Sequence, residues 1–435
     1  MLKRVISITL AFIGLLVGAG FATGQETIQY FVSHGSIGIA GAVLAGLLIS
    51  IGGMLSLQLG SYFLADEHNE VFQDISKKWV ARFMDVSVMI TLFSLGFVML
   101  AGAGSTFNQQ FGWPTWVGST VMLALVIASG FLDINKVSNV IGALTPAMII
   151  AVIIAFTYMM FNLPDDLSSL NDVAVQAESP ISPWWLSAIN YAGLVEIMAI
   201  SMVLVIGGSY LDPRESSLGG LVGGIAYTVL LVMISVTLFL GADKVEGSSV
   251  PNLTLFGEIH PVMAIIAVFI VYAMIYNSAI GMFYALGRRL SAGKQSKFRL
   301  YFIITTLVGY AISFIGFGSL MAKVYPILGY LGLLLIAVLV IFYLRDRSKI
   351  ASESKRRNKI RDLAYRKHHP DKEFTDDHAA EMEKLMGDSQ ISDDYLSDAV
   401  QEEVTDSLVQ DDSVDFSEED AEQLRDTDTP DSAKS

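Results

Sequence analysis

Two carboxylates lie inside long apolar segments, Glu26 and Glu196, and their type and depth make them the first candidates for chemistry. Glu26 closes the run GLLVGAGFATGQE over 14–26, in which Gly14, Gly18, Gly20 and Gly24 stand beside Thr23 and Gln25. In hydrocarbon every backbone polar group must be satisfied internally. A glycine-interrupted apolar segment with a carboxylate therefore belongs against protein or a water-filled cavity. Interrupted helices of this kind build solute and ion sites near the bilayer midplane. The alternative is that the glycines, at small-xxx-small spacing, only let helices pack closely.

Unwound backbone at Val17–Phe21, with Gly18, Ala19 and Gly20 at its centre, would present both N–H and C=O groups. Half-helix N-termini favour an anionic group and freed carbonyls favour sodium or an ammonium group, which together suit a zwitterion. Glu196 lies about 18 Å into its segment at 1.5 Å per residue, near the midplane, where it could carry a proton. It could equally be a carboxyl bonded to a neighbouring helix for structure. Glu26 lies about 7–8 Å deep. It could gate an outer vestibule, bind a cation, or snorkel towards water. Asn190, Tyr191, Gly193 and Asn277 are further candidates for contact with a solute, with Phe21 and Thr23, while Gln25, Gln29 and Gln58 add polarity at membrane depth.

The elements that must position these residues are spans. The chain has 435 residues, is 53% hydrophobic and contains no cysteine, which excludes disulfides and thiolate metal sites. Apolar segments of about 20 residues fall near 5–31, 36–64, 83–104, 114–131, 139–161, 184–210, 218–241, 262–287, 299–319 and 324–344. With the N-terminus inside, Lys3, Arg4, Lys77, Lys78, Arg82, Lys136, Arg214, Arg288, Arg289, Lys294, Lys297 and Arg299 fall on the inner side, and only Lys244 and Lys323 on the outer. That bias fits the positive-inside rule and places both termini in the cytoplasm of a multi-pass protein of the cell membrane. Ten spans divide into five and five, and five is odd, so a second set would run inverted. Span 1 would then pair with span 6, where Asn190-Tyr191-Ala192-Gly193 precedes Glu196. The expected fold is an all-α integral membrane protein, a 5+5 inverted repeat with spans 1 and 6 broken near the membrane centre.

The string VGAGFATGQE over 17–26 resembles the signature of the YkvI-like bacterial membrane proteins, grouped with the amino acid–polyamine–cation transporters of LeuT type. The resemblance covers roughly 5–344 and is weaker around 190–196 and 277–281. It implies the ten-helix inverted repeat, and implies that Ser278 of span 8 could join carbonyls near Val17 and Gly20 at a sodium site. An interhelical hydrogen bond is the alternative for Ser278 and Asn277.

Beyond the transporter-like core, 1–344, residues 345–367 carry ten basic and three acidic residues, and 368–435 carry four and 23. The basic segment is expected on the anionic inner leaflet and the acidic tail to be mostly disordered, with a protein partner as one use of it. His369-Pro370-Asp371, between a basic stretch and a short helical pattern, resembles the loop of a J-domain, the module that engages chaperones, over about 25 residues; a chance match is the alternative.

No Walker A sequence, catalytic triad pattern or metal-ligand spacing occurs, and an enzyme is not expected. Nor is a resident cofactor, apart from Na+ or H+ as a coupling ion, and no nucleic acid partner is expected. The function expected is ion-coupled secondary transport of a small solute, an amino acid or related zwitterion, by alternating access. The alternatives are a non-transporting sensor or envelope scaffold of the same fold, and a flippase for lipid-linked material.

Overall fold

The computed structural model describes residues 1–131, 144–164, 166–291, 294–411, 414, 416, 417 and 419–421. Among them the regular elements are helices, and no strand occurs. Span 1 is three pieces, α1 (Leu2–Leu16), α2 (Ala19–Thr23) and α3 (Gln25–Tyr30). Spans 2 to 5 are α4 (Ile37–Phe63), α6 (Lys78–Phe111), α7 (Thr115–Ser129) and α8 (Leu144–Phe161), with α5 (His68–Ile75) between spans 2 and 3. After α9 (Leu167–Ala174), spans 6 and 7 are α10 (Trp184–Gly208) and α11 (Pro213–Leu240). The short α12 (Ala242–Val245) and α13 (Pro251–Ile259) precede spans 8 to 10, which are α14 (Pro261–Ser291), α15 (Gln295–Ser313) and α16 (Phe317–His368). The tail contributes α17 (Asp376–Gly387) and α18 (Asp393–Val409). Seven of these helices are long and apolar enough to cross a membrane. Residues 139–143 of the expected fifth span, and Lys136, lie outside the described residues.

Packing follows the inverted repeat. Span 2 packs on span 7 and span 3 on span 8, each the mate of the other's position. The span 1–span 7 contact is matched by span 6 on span 2, and span 3 on span 4 by span 8 on span 9. Glycine makes the tightest of these approaches. A Cβ on Gly220 would meet the Gly53 carbonyl at 2.6 Å, and one on Gly224 would meet Ser50 Cα at 2.4 Å, so α11 and α4 touch backbone to backbone.

Three expectations are corrected. Span 6 is not broken: α10 is one 25-residue helix through Asn190, Gly193 and Glu196. Its glycine serves packing instead. A Cβ on Gly193 would collide with the Gly329 carbonyl of α16, and one on Gly332 with the Gly193 carbonyl. Close backbone contact with span 10 holds span 6 straight.

The basic segment 345–367 is not a separate unit. It continues span 10 within the 52-residue α16, with Asp346, Ile350, Glu353, Arg357 and Ile360 buried. Arg357, fully buried, donates to the carbonyls of Ser61 and Tyr62 at 2.7 Å each, capping the end of α4, and pairs with Glu353 at 2.9 Å.

The tail is helical over 393–409, where disorder was expected, and over 376–387, where the sequence shows a short helical pattern. Leu396, Val400, Val404 and Leu408, spaced by four, give α18 an apolar stripe that packs on Leu64, Leu211, Ile360 and Ala364. Average composition hid that stripe among acidic residues. Residues 422–435 lie outside the described residues.

Candidate functional site

The break in span 1 is local chemistry. Val17 leaves helical geometry (ψ 75°), Gly18 is extended (φ −98°, ψ −168°), and α2 restarts at Ala19. Gly24 then takes φ +79°, a conformation that favours glycine, and turns the chain into α3. The freed carbonyls are partly engaged. Thr23 Oγ1 donates to Gly20 O at 2.8 Å, and Asn252 of α13 donates to Phe21 O at 3.1 Å and Ala22 O at 2.9 Å. Span 8 faces the same break, since a Cβ on Gly18 would lie 4.0 Å from Ser278 Oγ. Ser278 is thus brought beside the Val17–Gly20 backbone, whereas Asn277, one residue earlier on α14, is exposed.

Glu26 folds back over this break. Its carboxylate occupies the place a Cβ on Gly20 would take, and the residue is 4% exposed. The Tyr191 hydroxyl of α10 lies 3.3 Å from Glu26 Oε2 and 3.0 Å from the Tyr227 hydroxyl of α11. Tyr325 of α16 faces the same carboxylate. Aromatic rings close the surroundings: Tyr30 and Phe31 lie 5.2 and 5.0 Å from the Tyr191 ring, and Phe21 lies 5.9 Å from Tyr227.

Among the described residues no Lys, Arg or His comes within ion-pair distance of Glu26. Gln25 Oε1, Glu26 Oε1 and Gln29 Oε1 are buried without a hydrogen-bond partner. A buried acceptor without a donor is costly, about 1–3 kcal/mol. Gln25 and Gln29 face Gly318 of α16, whereas Glu26 lies over Gly20 with the unpartnered Tyr325 hydroxyl beside it, so at Glu26 a cation, a proton or a hydrogen-bond donor would complete the carboxylate.

Glu196 sits elsewhere, about a turn and a half further along α10. It accepts a hydrogen bond from Ser56 of α4, and its Oε2 lies 2.6 Å from where a Cβ on Gly52 would be. It is 2% exposed. Asn190 is occupied by structure: Tyr30 donates to its Oδ1 at 3.2 Å and its Nδ2 donates to Pro326 O at 2.9 Å. Gly193 faces span 10 and not the break. Of the sequence candidates, Val17, Gly18, Ala19, Gly20, Phe21, Thr23, Glu26, Tyr191 and Ser278 therefore share one neighbourhood. Asn190 joins it through Tyr30, and Glu196, Gly193 and Asn277 do not.

Asn252, Tyr227 and Tyr325 complete the neighbourhood and were not singled out from sequence. Tyrosines in apolar spans are ordinary, and Asn252 stands in a proline-flanked connection whose return into the bundle no local pattern reveals. No group of three or more metal-ligating side chains occurs among the described residues. The oxygen donors at the break are backbone carbonyls and Ser278, a set suited to a hard monovalent cation.

No protein family model matches the chain. It is 23% identical over 341 residues to the uncharacterized membrane protein YkvI of Bacillus subtilis strain 168, covering 76% of this chain and 93% of that one. Among solved structures, MhsT in complex with L-phenylalanine is 16% identical, with TM-score 0.55 over 91% of this chain and 98% of that one. Mhp1 in an inward-facing conformation is 12% identical, with TM-score 0.53 over 98% of this chain and 95% of that one. These likenesses show the LeuT-type fold.

Proposed function

We propose that this YkvI-like membrane protein of LeuT-type fold is a secondary transporter of a small solute, working by alternating access around the break in span 1. The observation that carries the reading is the unpaired Glu26 carboxylate packed on Gly20 at the break. A carboxylate at membrane depth with no cationic side chain beside it needs a charge partner that comes and goes. A proton, a sodium ion or the ammonium group of a bound solute each meets that need. The N–H groups at the start of α2 can take a carboxylate, through the helix-end dipole. An amino acid or related zwitterion satisfies both requirements at once. MhsT was solved with such a molecule.

Two couplings are compatible with this reading. Sodium would sit between the carbonyls near Val17 and Gly20 and the Ser278 hydroxyl. A proton would ride on Glu26, with Glu196 as a second carrier on the far side of α10. The positive-inside bias puts the N-terminus, and with it the tail, on the cytoplasmic side of the cell membrane. The acidic tail gives the scaffold reading its one support, because transport itself does not need it.

Uptake of labelled amino acids into proteoliposomes under imposed proton or sodium gradients tests the proposal. Gradient-driven accumulation, lost in Glu26→Gln, is the expected result. Accumulation that survives Glu26→Gln and is lost in Glu196→Gln would move the coupling site to the α4–α10 interface. Failure of every amino acid with well-folded protein would overturn the substrate class.

A further inference from the structure

The tail helix α18 does not hang from the molecule; it is bonded to the free end of span 1. Glu403 of α18 sits 3.1 Å from Arg4 of α1 and 3.0 Å from Arg361 of α16, and accepts from the Leu211 N–H at 3.1 Å. Arg4 also pairs with Glu215 at the start of α11, at 2.7 Å, and donates to Ser407 of α18 at 3.3 Å. Arg361 reaches Glu215 at 3.5 Å and closes the square of two arginines and two glutamates. Exposed pairs taken singly contribute little, but these are half-buried or buried and share partners, which is where ion pairs matter. The apolar stripe Leu396, Val400, Val404 and Leu408 lies alongside, and the Tyr395 hydroxyl donates to Asp66 at 2.7 Å beyond the end of α4.

The other end of α1 is its weak point. Only the non-helical Val17–Gly18 pair joins α1 to the rest of span 1. Along its length α1 rests on α11 over glycines: Ile8 against Gly219 and Phe12 against Gly223, with Thr9 donating to Gly219 O at 3.2 Å. Apart from the Thr9 hydroxyl these contacts are apolar, so the charged ties of the arm lie at its tip. The side-chain bonds near its tip are those to Glu215 and α18, with Ser7 accepting from the Tyr210 hydroxyl at 3.0 Å.

We propose that α18 is a latch: docked, it holds α1 against α11 and keeps the pathway on the tail side shut, and its release frees α1 to swing. The acidic tail would then be a regulatory element, pinned through Glu403 to two arginines. This inference rests on the alternating-access reading only in naming α1 as the moving part.

The protein has no cysteine of its own, so one introduced cysteine reports alone. Ile8 is fully buried on α1, one turn beyond Arg4, and seats against Gly219 of α11. Ile8→Cys, labelled by a maleimide in membranes, reads whether α1 has moved off α11 without requiring transport. In Ile8→Cys alone, labelling should be slow. Adding Glu403→Lys, or removing residues 388–435, should each raise the rate tenfold or more. Circular dichroism and gel-filtration profiles matching the parent exclude unfolding as the cause. Equal rates in all three proteins would overturn the latch. Faster labelling on truncation but not in Glu403→Lys would overturn the ion pair as its pin. Because the readout is accessibility, these outcomes stay separate from any failure to find a transported solute.

Discussion

The Tyr191 hydroxyl donates to Glu26 Oε2 at 3.3 Å while also meeting the Tyr227 hydroxyl at 3.0 Å, so one phenol joins span 6, span 7 and the refolded end of span 1. Removing that hydroxyl leaves the ring contacts with Tyr30 and Phe31 in place. A hydrogen bond to a charged group is worth about 1.5–3 kcal/mol. Tyr191→Phe should therefore weaken solute or ion binding roughly tenfold or more, with unchanged yield of folded protein. Titration of proteoliposome uptake against solute and ion concentration checks this, and unaltered half-saturation values would remove Tyr191 from the site.

Gly20→Ala tests the carboxylate's position. The new methyl would take the place of the Glu26 carboxylate and force it away from the break. Overpacking of this kind costs about 1–3 kcal/mol. Uptake should fall to background while the melting temperature drops by only a few degrees. Retained uptake would show that Glu26 does not act from the place described.

Gly332→Ala probes what keeps span 6 continuous. Its methyl would collide with the Gly193 carbonyl, and backbone cannot yield as a side chain can. Thermal unfolding in detergent should show destabilisation of about 1–3 kcal/mol. Alanine tolerated without a shift would mean that α10 and α16 are not held by this contact.

Arg357 and Glu353 form a buried pair that ties α16 to the end of α4. Arg357→Met leaves Glu353 without its buried partner and strips the Ser61 and Tyr62 carbonyls of their donor. Breaking such a pair costs about 3–5 kcal/mol. Expression of folded protein should collapse in Arg357→Met and recover in part when Glu353→Leu is added. No recovery in the double variant would assign the loss to the carbonyls and not to the stranded charge.

His68 of α5, outside the spans, gives a pH signature. Burial, then the nearby Arg289, hold its imidazole below the ordinary 6.5, against the opposing pull of Asp85. The folded protein thus favours neutral His68. The stabilisation is present above pH 6.5 and is lost as pH falls through the lower folded value. Unfolding temperature measured from pH 7.5 downwards should fall more steeply in the parent than in His68→Gln. Parallel curves would show that His68 contributes nothing to the acid limb.

Legibility in the sequence divided by range. Gly24 turns span 1 by a local cause, a positive φ that favours glycine, and Gly18 interrupts the helix nearby in an extended conformation. Seven of the ten expected spans follow from segment length and apolarity alone. Asn190-Tyr191-Ala192-Gly193 looks like a second break by the same local criterion. That inference failed because a glycine permits either an interruption or a close approach, and Gly329 and Gly332 across the interface select the approach.

The sequence by itself determined that the chain is a bundle of spans in two inverted halves, with a polar interruption and a buried carboxylate in the first. Periodicity, hydrophobic length and glycine conformation act within a few turns and need no partner to be read. Only the tertiary structure decided that Glu26 rather than Glu196 lies on the break, and that Tyr227, Tyr325 and Asn252 surround it. Only the structure decided, too, that the acidic tail contains a helix bonded to Arg4. Glu26 reaches Gly20 over only six positions, but the tyrosines, Asn252 and the Arg4 pairing come from more than a hundred positions away, and the cost or gain of burying a charge is fixed by what those segments bring to it.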